Sequence, residues 1–293
     1  MKPPPFRYVA PDTTDDALAA LADAGDEAKV VAGGQSLIPL LNMRLAAPSV
    51  LIDINQLTDL DRIEVSEARV TVGATVRQAS LEHDEEAIRR LPLLGQALRH
   101  VAHPVIRNRG TVVGSIAHAD PAAELPAVLA VLGGTVEVRS TAGERTLAAE
   151  DLFVGPLESS LDPTELITAA SFPVPEGRWG SAFEELARRH GDYAMSGVAT
   201  VVHVNGDGLV ASAQAAFTGV GPVPVVVDLS GPLAGQDPTR LDTAEAVAAA
   251  RGAIDPQPDI HASAEYRRHL SGVLVDRALR AAGERAWHQG GGE

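Results

Sequence analysis

At 293 residues the chain is long enough for two domains or one large one, each with its own core, and 45% hydrophobic with 22% charged residues is the composition of an ordinary globular protein. A formal net charge of -15, from 24 Lys plus Arg against 39 Asp plus Glu, argues against nucleic acid or an anionic membrane as partner. The lack of any cysteine excludes disulfides, a thiol nucleophile and an iron-sulfur cluster held by this chain's own thiolates.

The start, "MKPPPFRYVAPDTTDD", has no apolar signal core, and no apolar run approaches the ~20 residues of a membrane helix, so the expectation is a cytoplasmic protein without a membrane span. "PDTTDDALAALADAGDEAKVVAGG" predicts a helix and then a strand. Thr13 caps the helix with Asp16 three residues on, Leu18 and Leu21 to Ala22 recur at helical spacing, and Gly25 stops it. Val30 and Val31 make the strand, Leu37 to Leu45 a helix ended by Pro48, and "SVLIDI" a further strand. From Asp59 a second core begins: "RIEVSEARVTVGATV" predicts two short strands about a turn, followed by helices to His100. "NRGTVVGSIAHADPAAELPAVLAVLGGTVEV" runs from a glycine-bearing loop through an apolar helix and Gly133-Gly134 into a strand. Another strand pair, "GERTLAAED" and "ELITAASFPVP", follows, and Pro173, Pro175 and Gly177 read as a linker. The remainder predicts a separate, smaller unit: a hairpin about Asn205-Gly206-Asp207-Gly208 and two helices, "TAEAVAAARG" and "SAEYRRHLSGVLVDRALRAAG". The tail, "AWHQGGGE", is expected to fray.

Two glycine loops carry the chemistry. A strand, a glycine turn and a helix start make an anion site, because small residues let backbone N-H groups come close while the helix N-terminus supplies positive dipole. In the first loop Gly33 and Gly34 give the close approach, with Gln35 and Ser36 as side-chain donors; the second, "GTVVGS", offers the Thr111 hydroxyl, Gly114 and Ser115. No lysine followed by Ser or Thr comes after the glycines, as a P-loop demands, and the spacing is not the Gly-x-Gly-x-x-Gly of a dinucleotide fold. A tight turn accounts for a lone Gly-Gly; two such loops, each ahead of a helix, favour a ligand.

"AGGQSLIPLLNMRL", "HPVIRNRGTVVGSIAHADPAAELPAVL", "ELARRHGDYAMSGVA" and "DIHASAEYRRHL", taken together and in order, resemble the flavin-binding medium subunit of the molybdenum hydroxylases, the xanthine dehydrogenase family, nearest to the carbon monoxide dehydrogenase-like enzymes. The resemblance covers nearly the whole chain. It implies an α+β fold: a two-part FAD-binding domain of the PCMH (vanillyl-alcohol-oxidase-like) type over 1–176, with subdomains of about 1–55 and 56–176. A small C-terminal sheet-plus-helices domain over 177–285 and a flexible tail, 286–293, complete it. The implied FAD is non-covalent. Val30, Val31, Ala32, Gly33, Gly34, Gln35, Ser36 and Leu37 would line it, with Gly33 to Ser36 at the pyrophosphate. The family's second loop, Thr-x-Gly-Gly-Ser, falls on Thr111, Val112, Val113, Gly114 and Ser115. Glu124 falls on the acidic contact to the adenosine ribose, Ile167 on an apolar position near flavin or adenine, and Tyr193 on an aromatic position close to the isoalloxazine. His118, within the second motif, is expected to hydrogen-bond near the flavin.

One position departs. Val113 stands where the family has the first glycine of its pair; a β-branched residue does not readily take φ above zero, and its methyls occupy space meant for phosphate or flavin. Weakened, displaced or lost FAD binding is the alternative this position raises; with the first loop and the acidic ribose contact intact, FAD binding stays the expectation.

Other residues have plainer readings. His100 and His103 have a spacing that suits a metal pair, but His103 precedes Pro104 at a helix end, where capping or solvent suits it better, and no metal is expected. Neither Ser36 nor Ser115 sits in a Gly-x-Ser-x-Gly elbow, so no catalytic nucleophile is nominated. Arg107 and Arg109 either reach a phosphate or carboxylate or hold their loop. "EYRRHL" reads as a charged helix face, and Asp53 and Asp120 as turn or cap residues.

The function implied by the resemblance is electron transfer. A large partner subunit would hold molybdopterin and hydroxylate the substrate, a small one would carry iron-sulfur clusters, and FAD on this chain would pass electrons to an acceptor, in a dimer of heterotrimers. The absence of cysteine fits that division. The rival, motivated by Val113, is a stand-alone flavoprotein or a flavin-free descendant.

Overall fold

The computed structural model describes residues 2–289. The N-terminal part is built on a parallel sheet of three strands, β1 (Arg7–Val9), β2 (Ala28–Val31) and β3 (Val50–Asp53), in the order β1-β3-β2. Between β1 and β2 runs α1 (Thr14–Ala24), whose Thr13 side chain accepts a hydrogen bond from the Asp16 N-H at 3.1 Å and whose C-cap Gly25 takes φ 53°. Ala17, Leu18 and Leu21 bury its inner stripe. The second helix, α2 (Leu37–Met43), is shorter than expected because Arg44 turns left-handed, φ 60°, and ends it before Leu45.

The second part is an antiparallel five-stranded sheet. The strands β4 (Ile63–Val65) and β5 (Arg69–Gly73) form the expected pair, followed by α3 (Gln78–Glu82), α4 (Glu85–Arg90), α5 (Pro92–Leu98) and α6 (Pro104–Arg107). The single apolar helix expected after the second glycine loop is two, α7 (Val112–His118) and α8 (Glu124–Val131), broken where Ala119 turns left-handed and Pro121 follows. Then come β6 (Thr135–Ser140), β7 (Gly143–Ala148), α9 (Ala149–Leu152), a two-stranded ladder of β8 (Phe153–Gly155) and β9 (Glu158–Ser159), and β10 (Leu166–Pro173).

The expected pairing of β7 with β10 does not form. β7 pairs with β6, and β10 is inserted between β5 and β6, giving the order β4-β5-β10-β6-β7. The reason lies in β10 itself: Leu166 to Phe172 are buried on both faces, the pattern of a central strand, whereas β7 is exposed along most of its length, as an edge tolerates.

The C-terminal unit is an antiparallel meander of β11 (Arg178–Ala187), β12 (Ala194–Val204), β13 (Val210–Thr218) and β14 (Val225–Asp228), then α10 (Ser230–Leu233), α11 (Ala244–Ala253) and α12 (Ala264–His288). The β12-β13 turn closes on Asn205, whose side-chain oxygen accepts from the N-H groups of Asp207 and Leu209. One face of this sheet, with Phe183, Ala199, Val201 and Ala216, joins the N-terminal core; the other, with Val198, Val202 and Phe217, packs beneath α12. α12 runs through His288, which corrects a tail starting at 286. Ala286 is fully buried, and Arg178 lies 5.6 Å above the Trp287 ring. Residues 290–293 of that expected tail lie outside the described residues.

Candidate cofactor site

The two glycine loops touch. The parallel sheet ends at Val31, and a Cβ placed on Gly33 would strike the carbonyl oxygen of Arg109 and lie 2.6 Å from the Cα of Gly110, so the first loop crosses the second backbone to backbone. Gly34 takes φ 72°, which turns the chain into α2. From Gly33 to Leu37 no N-H group donates to a protein acceptor among the described residues. That row of unpaired donors ahead of a helix is the chemistry of an anion cradle. The Gln35 amide is drawn inward, donating to the Gly33 carbonyl at 2.9 Å, and so shapes the loop instead of standing ready as a donor. Ser36 makes no side-chain bond to the helix it begins.

The second loop is docked on the segment after β5: Gln78 N-H donates to the Gly110 carbonyl at 2.9 Å and Val112 N-H to the Val76 carbonyl at 3.2 Å. Thr111 is the N-cap of α7, its hydroxyl oxygen accepting from the Gly114 N-H at 3.0 Å. Ser115 and His118 follow on the same helix, both half-buried and without side-chain hydrogen bonds among the described residues.

Val113 lies in the first turn of α7, in helical conformation, 3% exposed and inside the main core with Val112 and Ile116. The anticipated conflict therefore does not arise. Its φ is not positive and its side chain is packed into the main core.

Residues that sequence reasoning missed fix the spacing of the loops. Asn55 donates to the Ala32 carbonyl at 2.6 Å and to Asp53, which also accepts the Tyr8 hydroxyl at 2.5 Å. Arg77 donates to the Asn55 side-chain oxygen at 2.6 Å and to the Arg109 carbonyl at 2.5 Å, so one guanidinium spans the roots of both loops. Of the two candidate arginines, Arg107 holds its loop: it is 7% exposed, grips Glu82 through two bonds of 2.7 and 3.1 Å and donates to the Val101 carbonyl. Arg109 is exposed, with no side-chain bond among the described residues.

A cleft of about 960 Å³ opens between the α7-α8 turn and the C-terminal unit, walled by Asp120, Pro121, Arg188, Tyr193, Met195 and His261 among others. Residues of the first loop do not line it. Tyr193 is 67% exposed on the β11-β12 loop, at the cleft. Ile167 is 3% exposed and its side chain belongs to the core. Glu124, at the start of α8, is 8% exposed, and burial pushes its carboxyl up to about 7.

The "EYRRHL" stretch is not a simple charged face. Arg267 is 7% exposed; it donates to the carbonyls of Met195 at 2.7 Å and Gly219 at 3.0 Å, and to Asp259 at 2.6 Å. Gly219 N-H and the Thr218 hydroxyl in turn donate to the Pro121 carbonyl, so the clamp ties the Tyr193 loop and the end of β13 to the α7-α8 turn. A signal existed: Arg267 precedes Leu270, Ser271, Leu274 and Val275 at helical spacing, on the buried stripe of α12. The His100 ring lies against that of Phe183 at a 47° tilt, centroids 5.4 Å apart, and His103 meets His190 edge-on at 5.8 Å. Among the described residues no group of three His, Asp or Glu side chains is placed to hold a metal ion, and no helix is long and apolar enough to cross a membrane.

Two family models together cover most of the chain. Residues 4–175 match the FAD binding domain in molybdopterin dehydrogenase, and residues 181–282 the CO dehydrogenase flavoprotein C-terminal domain. The chain is 43% identical to the 6-hydroxypseudooxynicotine dehydrogenase complex subunit alpha of Paenarthrobacter nicotinovorans, over 98% of this chain and 97% of the other. To the nicotine 6-hydroxylase medium subunit of the same organism it is 41% identical, over 97% and 100%. The solved structure of reconstituted CO dehydrogenase from Oligotropha carboxidovorans superposes with a TM-score of 0.92 at 34% identity, over 97% of this chain and 100% of that one. The protein belongs to the FAD-binding medium subunits of the molybdenum hydroxylase family. It is the flavin subunit of a multi-subunit oxidoreductase, and the crossed loops with their unpaired N-H groups fit the pyrophosphate of FAD.

Proposed function

We propose that one FAD binds non-covalently with its pyrophosphate between Gly33–Ser36 and Thr111–Ser115. Val30, Val31, Ala32 and Leu37 lie beside it, Glu124 accepts from the ribose, and Tyr193 and His118 stand toward the isoalloxazine. The observation that carries this reading is the contact of Gly33 with Arg109 and Gly110, which makes a single cradle of two loops far apart in sequence. When bound, FAD would supply the exchange between one-electron and two-electron transfer. The chain's own residues bind and orient it: N-H groups of Gly33 to Leu37 meet negative oxygens, and Arg77 sets the gap between the loops. Ile167, buried in the central strand, acts on the cofactor through packing behind the site.

For Arg77→Met, the expected result is FAD affinity about ten- to a hundredfold lower, since hydrogen bonds from a charged group contribute roughly 1.5–3 kcal/mol each. Titration of apoprotein with FAD measures it; unchanged affinity would show that the loops hold their spacing without Arg77.

The domains of this reading are an FAD-binding domain over 1–176, divided near residue 55, and a C-terminal domain from 177 to the end of α12 at His288. Its partners are a small iron-sulfur subunit and a large molybdopterin subunit that holds the substrate pocket, assembled as a dimer of heterotrimers in the cytoplasm. Support comes from relatives named as subunits of dehydrogenase and hydroxylase complexes and from the absence of cysteine on this chain. The stand-alone or flavin-free alternative rested on Val113, which the core accommodates, and it is not favoured. Purification of the tagged chain from its native cell tests the assembly: iron, molybdenum and flavin should co-elute in one complex. A chain that carries flavin alone, with no metal-bearing partner, would contradict it.

A further inference from the structure

The loop that carries Tyr193 rests on a histidine from a distant part of the chain. It joins β11 to β12 over residues 188–193 and is closed by a turn in which the Asp192 N-H donates to the Arg189 carbonyl at 3.1 Å. Gly191, half-buried inside it, takes φ 86°. A Cβ placed there would lie 2.6 Å from Cε1 of the His103 ring and 2.9 Å from each of its nitrogens. Those nearly equal distances set the Cβ position over the face of the imidazole, above Cε1, so the flat ring is packed against bare glycine backbone. His190, the residue before, meets the same ring edge-on, centroids 5.8 Å apart. Glycine answers two demands at position 191: the left-handed turn and the thickness of the ring.

The histidine itself is firmly placed. His103 is exposed and its side chain does not cap the helix it precedes, but its carbonyl accepts from the N-H groups of Ile106 at 2.8 Å and Arg107 at 3.1 Å. Pro104 follows and keeps it extended. The residue before, Ala102, is left-handed at φ 44°, a conformation that an alanine keeps only where its surroundings impose it. Arg107 imposes it here: Nη1 donates to the Val101 and Ala102 carbonyls at 2.9 and 3.5 Å, while its other two nitrogens bind Glu82. The buried ion pair shapes the 101–103 turn, and the turn presents the imidazole to Gly191. Tyr193, two residues further on, is mostly exposed at the cleft, so the loop and not burial sets its place.

We propose that His103 is a positioning residue: its imidazole is the seat of Gly191, and by holding the β11-β12 loop against the 101–103 turn it fixes where Tyr193 stands. The seat is a feature of the apoprotein; its service to FAD rests on the reading above that Tyr193 faces the isoalloxazine. The ring acts through its flat face and not through a proton or a hydrogen bond. A phenyl ring at position 103 can replace that face, and a methyl group cannot.

The test uses the full chain in four forms: wild type, His103→Ala, His103→Phe and Tyr193→Phe. First, apoprotein of each is digested with trypsin under native conditions, and cleavage after Arg188 and Arg189, both exposed in the loop, is followed by mass. Without the ring the loop loses its single resting place, so His103→Ala is cut there at least about tenfold faster than wild type, and His103→Phe within about twofold of it. Second, the fluorescence of bound FAD is measured after free FAD is removed, since a phenol against the isoalloxazine quenches its emission. Wild type and His103→Phe are quenched, Tyr193→Phe is brighter, and His103→Ala moves at least about half of the way to the Tyr193→Phe value as the loop leaves its seat. Equal cleavage of wild type and His103→Ala overturns the seat. Faster cleavage of His103→Ala that His103→Phe does not restore overturns the part played by the ring face. Faster cleavage with the emission of bound FAD unchanged overturns the positioning role. Faster cleavage of His103→Ala with no FAD uptake by any form, wild type included, sinks the cofactor reading while the seat stands.

Discussion

Replacing Gly33 with alanine weakens the protein's hold on FAD. The added Cβ meets the carbonyl oxygen of Arg109 and the Cα of Gly110, both backbone atoms, so no side chain can swing aside. The Arg109 carbonyl is further fixed by Arg77. Relief comes by parting the loops, at a cost of roughly 1–3 kcal/mol for overpacking. Because the cradle exists only while the loops touch, affinity is expected to fall by about ten- to a hundredfold or more. The ratio of flavin to protein absorbance after purification, followed by FAD titration, measures it. Gly34→Ala is expected to be milder: its strain is that of φ 72° in a residue with a Cβ, about 1–2 kcal/mol, and the atom it meets is a flexible one of Ile38.

Val113→Gly destabilises the protein without improving its hold on flavin. The family resemblance suggests that restoring glycine here opens a phosphate site. The structure gives the opposite expectation, because the valine side chain fills core space beneath α7. Its removal leaves a cavity costing about 2–3 kcal/mol, and glycine inside the helix adds about 1 kcal/mol. A denaturant midpoint shifted downward with FAD affinity unchanged or lower is the expected result. Tighter FAD binding at unchanged stability would show that the side chain faces the cofactor.

These two positions illustrate what was legible in the sequence. Local signals were reliable where one residue decides the outcome. Thr13 and Gly25 mark the ends of α1, and Asn205 marks the hairpin. The glycine loops were legible as an anion site; that they touch was not, because the contact joins Gly33 to residues more than seventy positions away. Strand order escaped for the same reason. β10 is apolar on both faces, which says that it is central but not which neighbours it takes, and β11 carried too mixed a pattern to be singled out. Arg77 and Asn55 were missed because the bonds by which they tie the loops go to backbone carbonyls, which leave no mark in the sequence, whereas Arg267 stood on the buried stripe of α12 and could have been read. At Val113 a motif position was taken for a side-chain direction. Thr111 caps the helix, the turn begins one residue later, and the valine falls on the core side.

The crossed loops are expected to hold FAD. This is tested most directly by the absorption spectrum of the purified protein, together with FAD titration of the apoprotein prepared from it. A yellow protein with one non-covalent FAD per chain is expected, the FAD being released on unfolding and taken up again stoichiometrically by wild type and at least about tenfold more weakly by Gly33→Ala. A colourless wild-type chain that takes up no added FAD, or a Gly33→Ala chain that binds it as tightly as wild type, would contradict the account.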